Sequence, residues 1–207
     1  MTPPRSIEEQ FEPDVAWKLR DFQRRLEIVR TTGEASDYFI WEALSCLDRG
    51  LLLATLQLAT ATLELRAREI LIQHTIAGLS DREGPAHHIE ISVEEDRGYL
   101  FGGILVALET RGAISAEDHQ KLKHIYQQIR IPLHHGIVGR YLRSHKEGGD
   151  EWILDALWGN RQVHLTTSET EMESVIERYG VDDLDHVISA LELLTPKFQK
   201  ADSPVRL

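Results

Sequence analysis

Cysteine is almost missing from this chain of 207 residues: Cys46 stands alone, so no internal disulfide is available and the fold must rest on a core. Residue 46 lies in an apolar, helix-like stretch, where a small buried hydrophobe is expected. Long apolar runs are missing too, and nothing approaches the roughly 18 consecutive apolar residues that a membrane span needs. No apolar run follows Met1-Thr2-Pro3-Pro4-Arg5, so a secretory signal is not expected and the reading is a cytoplasmic protein. Positive charge is scarce: 23 Lys and Arg against 34 Asp and Glu give a formal net charge of −11. That balance argues against a general affinity for nucleic-acid phosphates, so RNA would have to be met at a local basic site or with a partner's help. The phosphate-binding patterns G-x-x-x-x-G-K-[ST] and G-x-G-x-x-G are absent, as is the G-x-S-x-G nucleophile turn. No cofactor is expected.

What is present reads as helix. Hydrophobic residues at 42% and charged residues at 28% are ordinary for one soluble domain, and the chain is long enough to bury a core without metal support. Phe11, Val15, Leu19, Phe22, Leu26 and Val29 recur at spacings of three and four, with Pro13 near the helix start and Gly33 after its end. From Ala35 to Leu79, Phe39, Ala43 and Leu47 and then Leu51, Ala54, Leu58, Ala61 and Leu65 form a long apolar stripe. Gly50 marks a break within it and Gly78 a stop. The run Leu51-Leu52-Leu53-Ala54 is apolar on several sides, which predicts a central helix with more than one neighbour. Residues 80–97 read as a connection, with a short extended piece at His88 to Val93. A helix is expected from Tyr99 to Glu109, stopped by Gly112. Another follows a Ser115/Asp118 capping box and carries Leu122, Ile125, Ile129 and Leu133. Pro132 should bend or locally open it. Gly148-Gly149 is a loop, residues 151–158 a short helix, and Ser168 with Glu171 a second capping box. A last helix runs from about Val181 to Leu194 and ends at Thr195-Pro196. One helical domain over residues 1–207 is the expectation.

Ten histidines raise the question of a metal. The pairs His87-His88 and His134-His135 are adjacent, and neighbours on a helix point about 100° apart, whereas helical metal ligands sit three or four residues apart. Asp183 and His186 have that spacing but no matching second motif, so no metal is expected. The segment with chemistry in it is Arg130-Ile131-Pro132-Leu133-His134-His135-Gly136. A histidine with a pKa near about 6.5 takes a proton from a ribose 2′-OH, and a permanently charged guanidinium holds the scissile phosphate.

Three blocks around this segment resemble, in order, the HEPN superfamily (higher eukaryotes and prokaryotes nucleotide-binding). Leu47-Asp48-Arg49-Gly50 through Ala61-Thr62-Leu63-Glu64 is similar to the family's long early helix. Leu100-Phe101-Gly102-Gly103-Ile104-Leu105 with Leu108 and Gly112-Ala113-Ile114-Ser115 is similar to its next helix and turn. Leu122 to Ile129 followed by Arg130 to Gly136 is similar to the helix bearing its R-x(4–6)-H signature. The resemblance covers about residues 35–145. It implies an all-α, up-and-down helical bundle with extra N- and C-terminal helices, frequently a homodimer in which two such motifs face each other as an RNA-cleaving cleft.

Residue by residue, the resemblance implies Arg130 and His135 as the catalytic pair of a metal-independent endoribonuclease, working in phage defence or a toxin–antitoxin system alongside a protein regulator. His134, Arg140 and Tyr126 are substrate-binding candidates, with Arg143 extending the basic patch. Glu64 falls where the family often has a glutamate; by helix spacing alone it is a surface acid or a partner of Arg68. Active members usually carry a polar residue directly after the arginine, and this chain has Ile131 and then Pro132. On an ideal helix Arg130 and His135 point about 140° apart and His134 only about 40° from the arginine, so a bend at Pro132 decides which histidine accompanies it. The second function open to the chain is a non-catalytic helical dimerisation module on the same scaffold.

Overall fold

The computed structural model describes residues 6–30, 35–77, 100–131, 133, 144–146, 152–158, 161–166 and 169–201. Helix α1 (Ile7–Gln10) leads through an extended Phe11 into α2 (Pro13–Val29), which opens with proline in its first turn, where the missing N–H is harmless. The apolar spacing becomes a buried face: Ala16, Leu19, Phe22, Leu26 and Val29 all point inward. Helices α3 (Ala35–Asp48) and α4 (Leu52–Ala77) follow. Between them Gly50 takes φ +70°, while the Leu51 N–H bonds to the Cys46 carbonyl and the Gly50 N–H to that of Leu47. This left-handed helix stop satisfies carbonyls that the end of α3 would otherwise leave open. The same device at Gly112 (φ +69°) ends α5 (Phe101–Thr110).

The expected capping box opens α6 (Ala116–Ile125): the Asp118 N–H donates to Ser115 Oγ at 3.1 Å, and the Ser115 N–H to Asp118 Oδ2 at 3.2 Å. From Tyr126 to Arg130 the helix widens into a π-helical turn, in which the Ile131 N–H reaches back five residues to the Tyr126 carbonyl. Leu122, Ile125, Ile129 and Leu133 are all buried, as their spacing predicts.

The long helix α4 is the hub, touching α3, α5, the π turn and the C-terminal helix α7 (Glu169–Ala201). Its core face differs from the expected stripe. Leu52, Leu56, Ala59, Leu63, Ala67 and Ile70 are buried, whereas Leu51 is half exposed and Ala54, Leu58, Ala61 and Leu65 are only partly covered. Cys46 is likewise half-buried rather than buried.

Two further expectations are corrected. Residues 151–158 do not make a helix: Trp152–Trp158 is the middle strand β2 of an antiparallel sheet between β1 (Ser144–Lys146) and β3 (Arg161–Thr166). The tryptophans and leucines of β2 fit helical spacing as well as strand spacing. The clearer signal lies in β3, where Val163 and Leu165 alternate with polar residues. Trp158 pairs with Arg161 at the end of the β2–β3 register. The helical body is therefore accompanied by a small β-meander. The last helix also does not start near Val181 or stop at Thr195; α7 is continuous, with Pro196 inside it. Its buried Leu184, Val187, Ile188, Leu191 and Leu194 supply packing that outweighs the lost backbone bond. Beyond Pro196, Lys197 Nζ donates to Asp118 Oδ2 at 2.6 Å and ties the last turns of α7 to α6.

Helices α2 and α7 are clamped by Arg25, whose guanidinium donates two bonds of 2.8 Å to the Glu192 carboxylate, one of 2.9 Å to Ser189 and one of 2.5 Å to Asp185. Helices α3 and α4 are joined by a buried network. Arg66, 1% exposed, donates from Nε to Ser36 Oγ and from Nη2 to Asp37 Oδ1, both at 2.9 Å. The Glu69 carboxylate accepts the Ser36 N–H at 2.9 Å and the Ser36 hydroxyl at 2.6 Å. It thereby caps the N-terminal end of α3, where the helix dipole favours negative charge. Among the described residues no helix is long and apolar enough to cross a membrane.

Replacing Arg66 with methionine leaves Asp37 and Glu69 facing an apolar side chain, and urea unfolding should show a loss of about 3–5 kcal/mol. Asp118 makes stability pH-dependent. Burial would raise its pKa, but the bonds from Lys197 and from the Ser115 N–H and hydroxyl outweigh that and hold it below the ordinary 3.8. A carboxyl depressed on folding stabilises above its unfolded pKa and loses that contribution as pH falls through the folded value. The gap in melting temperature between wild type and Asp118→Asn should therefore be full at neutral pH and close as the pH falls below about 3.8.

Candidate functional site

The site is assembled from three elements. Helix α4 contributes Glu64, the π turn contributes Tyr126 and Arg130, and α5 contributes Phe101. Because Pro132 has no N–H and its ring crowds the carbonyl four residues earlier, a regular α-helix through this stretch would be strained. The π-helical turn that precedes it widens the backbone, a local irregularity of the kind often found at functional sites.

The widened turn sets Arg130 against two neighbours. Its Nη2 lies 2.8 Å from Glu64 Oε2, with both side chains about a quarter to a fifth exposed (24% and 22%). Its Cζ stands 6.0 Å from the centre of the Tyr126 ring, within reach of a cation–π attraction. Tyr126 in turn packs on the buried Phe101, with ring centres 4.9 Å apart and planes tilted by 38°. The Glu64 contact is an ion pair by distance without the alignment of a hydrogen bond: Glu64 Oε2 and Arg130 Nε are both buried atoms with no hydrogen-bond partner. An unsatisfied guanidinium N–H and an unsatisfied carboxylate oxygen side by side make a polar pair with bonding capacity to spare. A phosphate oxygen is the acceptor for which a guanidinium fork is built.

Of the residues singled out from the sequence, Arg130 and Tyr126 are brought together, and Glu64 joins them from another helix. His134, His135 and Arg140 lie outside the described residues, as do Arg143, the pair His87-His88 and the connection around them. The aromatic support from Phe101 carried no sequence signal, because it depends on how α5 crosses the π turn. A second titratable pair, His119 Nδ1 against the Glu109 carboxylate, joins the end of α5 to α6. Asp183 is buried in α7 while His186 is exposed, and among the described residues no group of three His, Cys, Asp or Glu side chains is disposed to hold a metal.

A double-mutant cycle of Glu64→Gln and Arg130→Gln in urea unfolding should give a coupling of about 1 kcal/mol, the scale of a partly exposed pair. A coupling near zero would mean that the two charges do not hold each other in solution. Comparison with protein-family models, with curated proteins and with solved structures yields no match to this chain.

Proposed function

We propose that the chain is a metal-independent endoribonuclease of HEPN type, built on a HEPN-like helical bundle and acting as a homodimer. The observation that carries this reading is the seating of Arg130: at the end of a π-helical turn, fixed between Glu64 and Tyr126, one residue pair ahead of the Leu133-His134-His135 segment. Arg130 then clamps the scissile phosphate and stabilises the charge on its non-bridging oxygens. His135 takes the proton of the ribose 2′-OH, O2′ attacks phosphorus, and the P–O5′ bond breaks. The products are a 2′,3′-cyclic phosphate and a 5′-OH end, with the proton returned to O5′ by an imidazolium. His134, Tyr126 and Arg140 contribute to holding the strand, Tyr126 by stacking. A local role for these residues is consistent with the net charge of −11, which disfavours binding RNA by its backbone in general. Phage defence or a toxin–antitoxin pairing with a protein regulator is the setting this activity would suit.

The second reading, a dimerisation module without turnover, is favoured by one observation: Glu64 already opposes the Arg130 charge, and Ile131 stands where a polar residue would assist. An RNA cleavage assay in EDTA separates the two. Wild type should cut and leave cyclic-phosphate ends, and Arg130→Ala or His135→Ala should lose at least about a hundredfold in rate. Cleavage that survives both substitutions removes the nuclease, and no cleavage by wild type on varied RNAs leaves the module.

A further inference from the structure

Large aromatic side chains are seldom left in water, yet α3 leaves two on one side. Tyr38 is 62% exposed and Trp41 53%, while Ser36, Ile40, Ala43 and Leu47 fill the opposite, buried face. Tyr38, Trp41, Glu42 and Ser45 fall within about 100° of the helix circumference, so they form one outward strip. The rings of Tyr38 and Trp41 have centres 6.2 Å apart and planes tilted by 37°. The Tyr38 hydroxyl faces the Glu42 carboxylate one turn on, which holds that hydroxyl above its ordinary pKa of 10.0. Two exposed aromatic faces and a carboxylate therefore stand together.

The charge around the strip indicates what covers it. Helix α3 holds Asp37, Glu42 and Asp48 and no lysine, arginine or histidine. Glu42 has no lysine or arginine partner among the described residues. Asp48 meets Arg20, but at 3.4 Å and from a guanidinium already paired with Glu8 at 2.7 Å. Carboxylates beside the rings repel phosphate, which disfavours stacking of a nucleic-acid strand here. A cation is favoured twice, by the ring faces and by the Glu42 carboxylate. Arginine suits the strip better than lysine. Its planar guanidinium lies flat on an aromatic ring and still directs N–H groups at a carboxylate, whereas an ammonium is a strongly hydrated point charge. Trp17 is the contrast: it is 71% exposed on α2, but Lys18 beside it and Arg20 and Arg24 one and two turns on bring positive charge there.

We infer that the strip of Tyr38, Trp41 and Glu42 on α3 is a docking surface for a protein partner that presents arginine side chains. Exposed aromatic rings with a carboxylate at their edge have the composition of an interface anchor rather than of ordinary surface. Helix α3 packs on α2 and α4, and its buried face is the one opposite the strip, so a partner covers the strip without disturbing the core. The Arg130 site draws on α4, α5 and the π turn, and this inference holds whether or not that site cuts RNA.

The test is a titration of the full chain with a capped hexa-arginine peptide in about 0.15 M salt, which screens the general attraction of an acidic protein for a basic peptide. The readout is the set of tryptophan indole N–H resonances, identified with Trp17→Phe and Trp41→Phe. The Trp41 resonance should shift and saturate while that of Trp17 stays in place. Trp41→Ala should weaken binding of the peptide at least about fivefold, and Glu42→Gln at least about threefold. Both variants should keep the wild-type circular-dichroism melt, since neither side chain belongs to the core. Hexa-lysine, of equal charge, should bind at least about threefold more weakly than hexa-arginine. Equal shifts at Trp17 and Trp41 would reduce the effect to the net charge of −11 and overturn the inference. So would an affinity that neither variant changes, hexa-lysine bound as tightly as hexa-arginine, or an oligouridine that moves the Trp41 resonance where the peptide does not.

Discussion

A single buried charge sets the geometry of this protein. Arg66 is 1% exposed on the central helix, and a guanidinium out of water is tolerable only with several aligned acceptors. Ser36, Asp37 and Glu69 provide them, all but Glu69 from the first turn of α3. The network therefore fixes how α3 lies along α4, in rotation as well as position, because an apolar contact would tolerate sliding and these directed bonds do not. Two residues along a helix differ by about 200°, so turning Arg66 into the core turns Glu64 outward, towards the π turn. The orientation of the candidate site follows from a structural bond on the other side of the same helix.

The four sides of α4 then have separate tasks. One face fills the core, one anchors α3 through Arg66, one presents Glu64 to Arg130, and one leaves Ala54, Leu58, Ala61 and Leu65 partly exposed. A helix used on every side has little freedom to shift. The small residues Ala54, Ala59, Ala61 and Ala67, together with Thr55, Thr60 and Thr62, keep it slim enough for close neighbours. The buried threonine hydroxyls do not compete for partners elsewhere: Thr55 bonds to the Leu51 carbonyl and Thr62 to that of Leu58, one turn back.

Around Arg130 the chain combines rigidity and irregularity. Ile129 and Leu133 anchor the stretch in the core, the π turn widens the backbone between the α6 helix and Pro132, and Tyr126 with Phe101 backs the guanidinium from one side. A charge held this way loses less conformational freedom when it meets an anion than a free surface arginine would. Glu64 is the counterweight: it orients the fork and also competes with any phosphate for it.

By itself the sequence determined most of the helices, together with the stops at Gly50 and Gly112 and the cap at Ser115, because each of these is local. Three–four apolar spacing, glycine at a left-handed helix end and a Ser115/Asp118 box act within one or two turns. It also singled out Arg130, Tyr126 and Glu64, through spacing and through resemblance to a family. Only the tertiary structure decided which apolar stripe of α4 faces inward, since Leu51–Leu65 and Leu52–Ile70 are equally periodic and the choice follows from where Arg66 finds its partners. The same holds for residues 152–158, whose tryptophans and leucines fit a helix or a strand until β1 and β3 pair with them. It holds again for α7, where packing on α2 and α4 carries the helix through Pro196. The meeting of Glu64 with Arg130, 66 positions apart in the chain, belongs to the same class: no local rule reaches across that separation, and only packing of the π turn on α4 brings the two charges together.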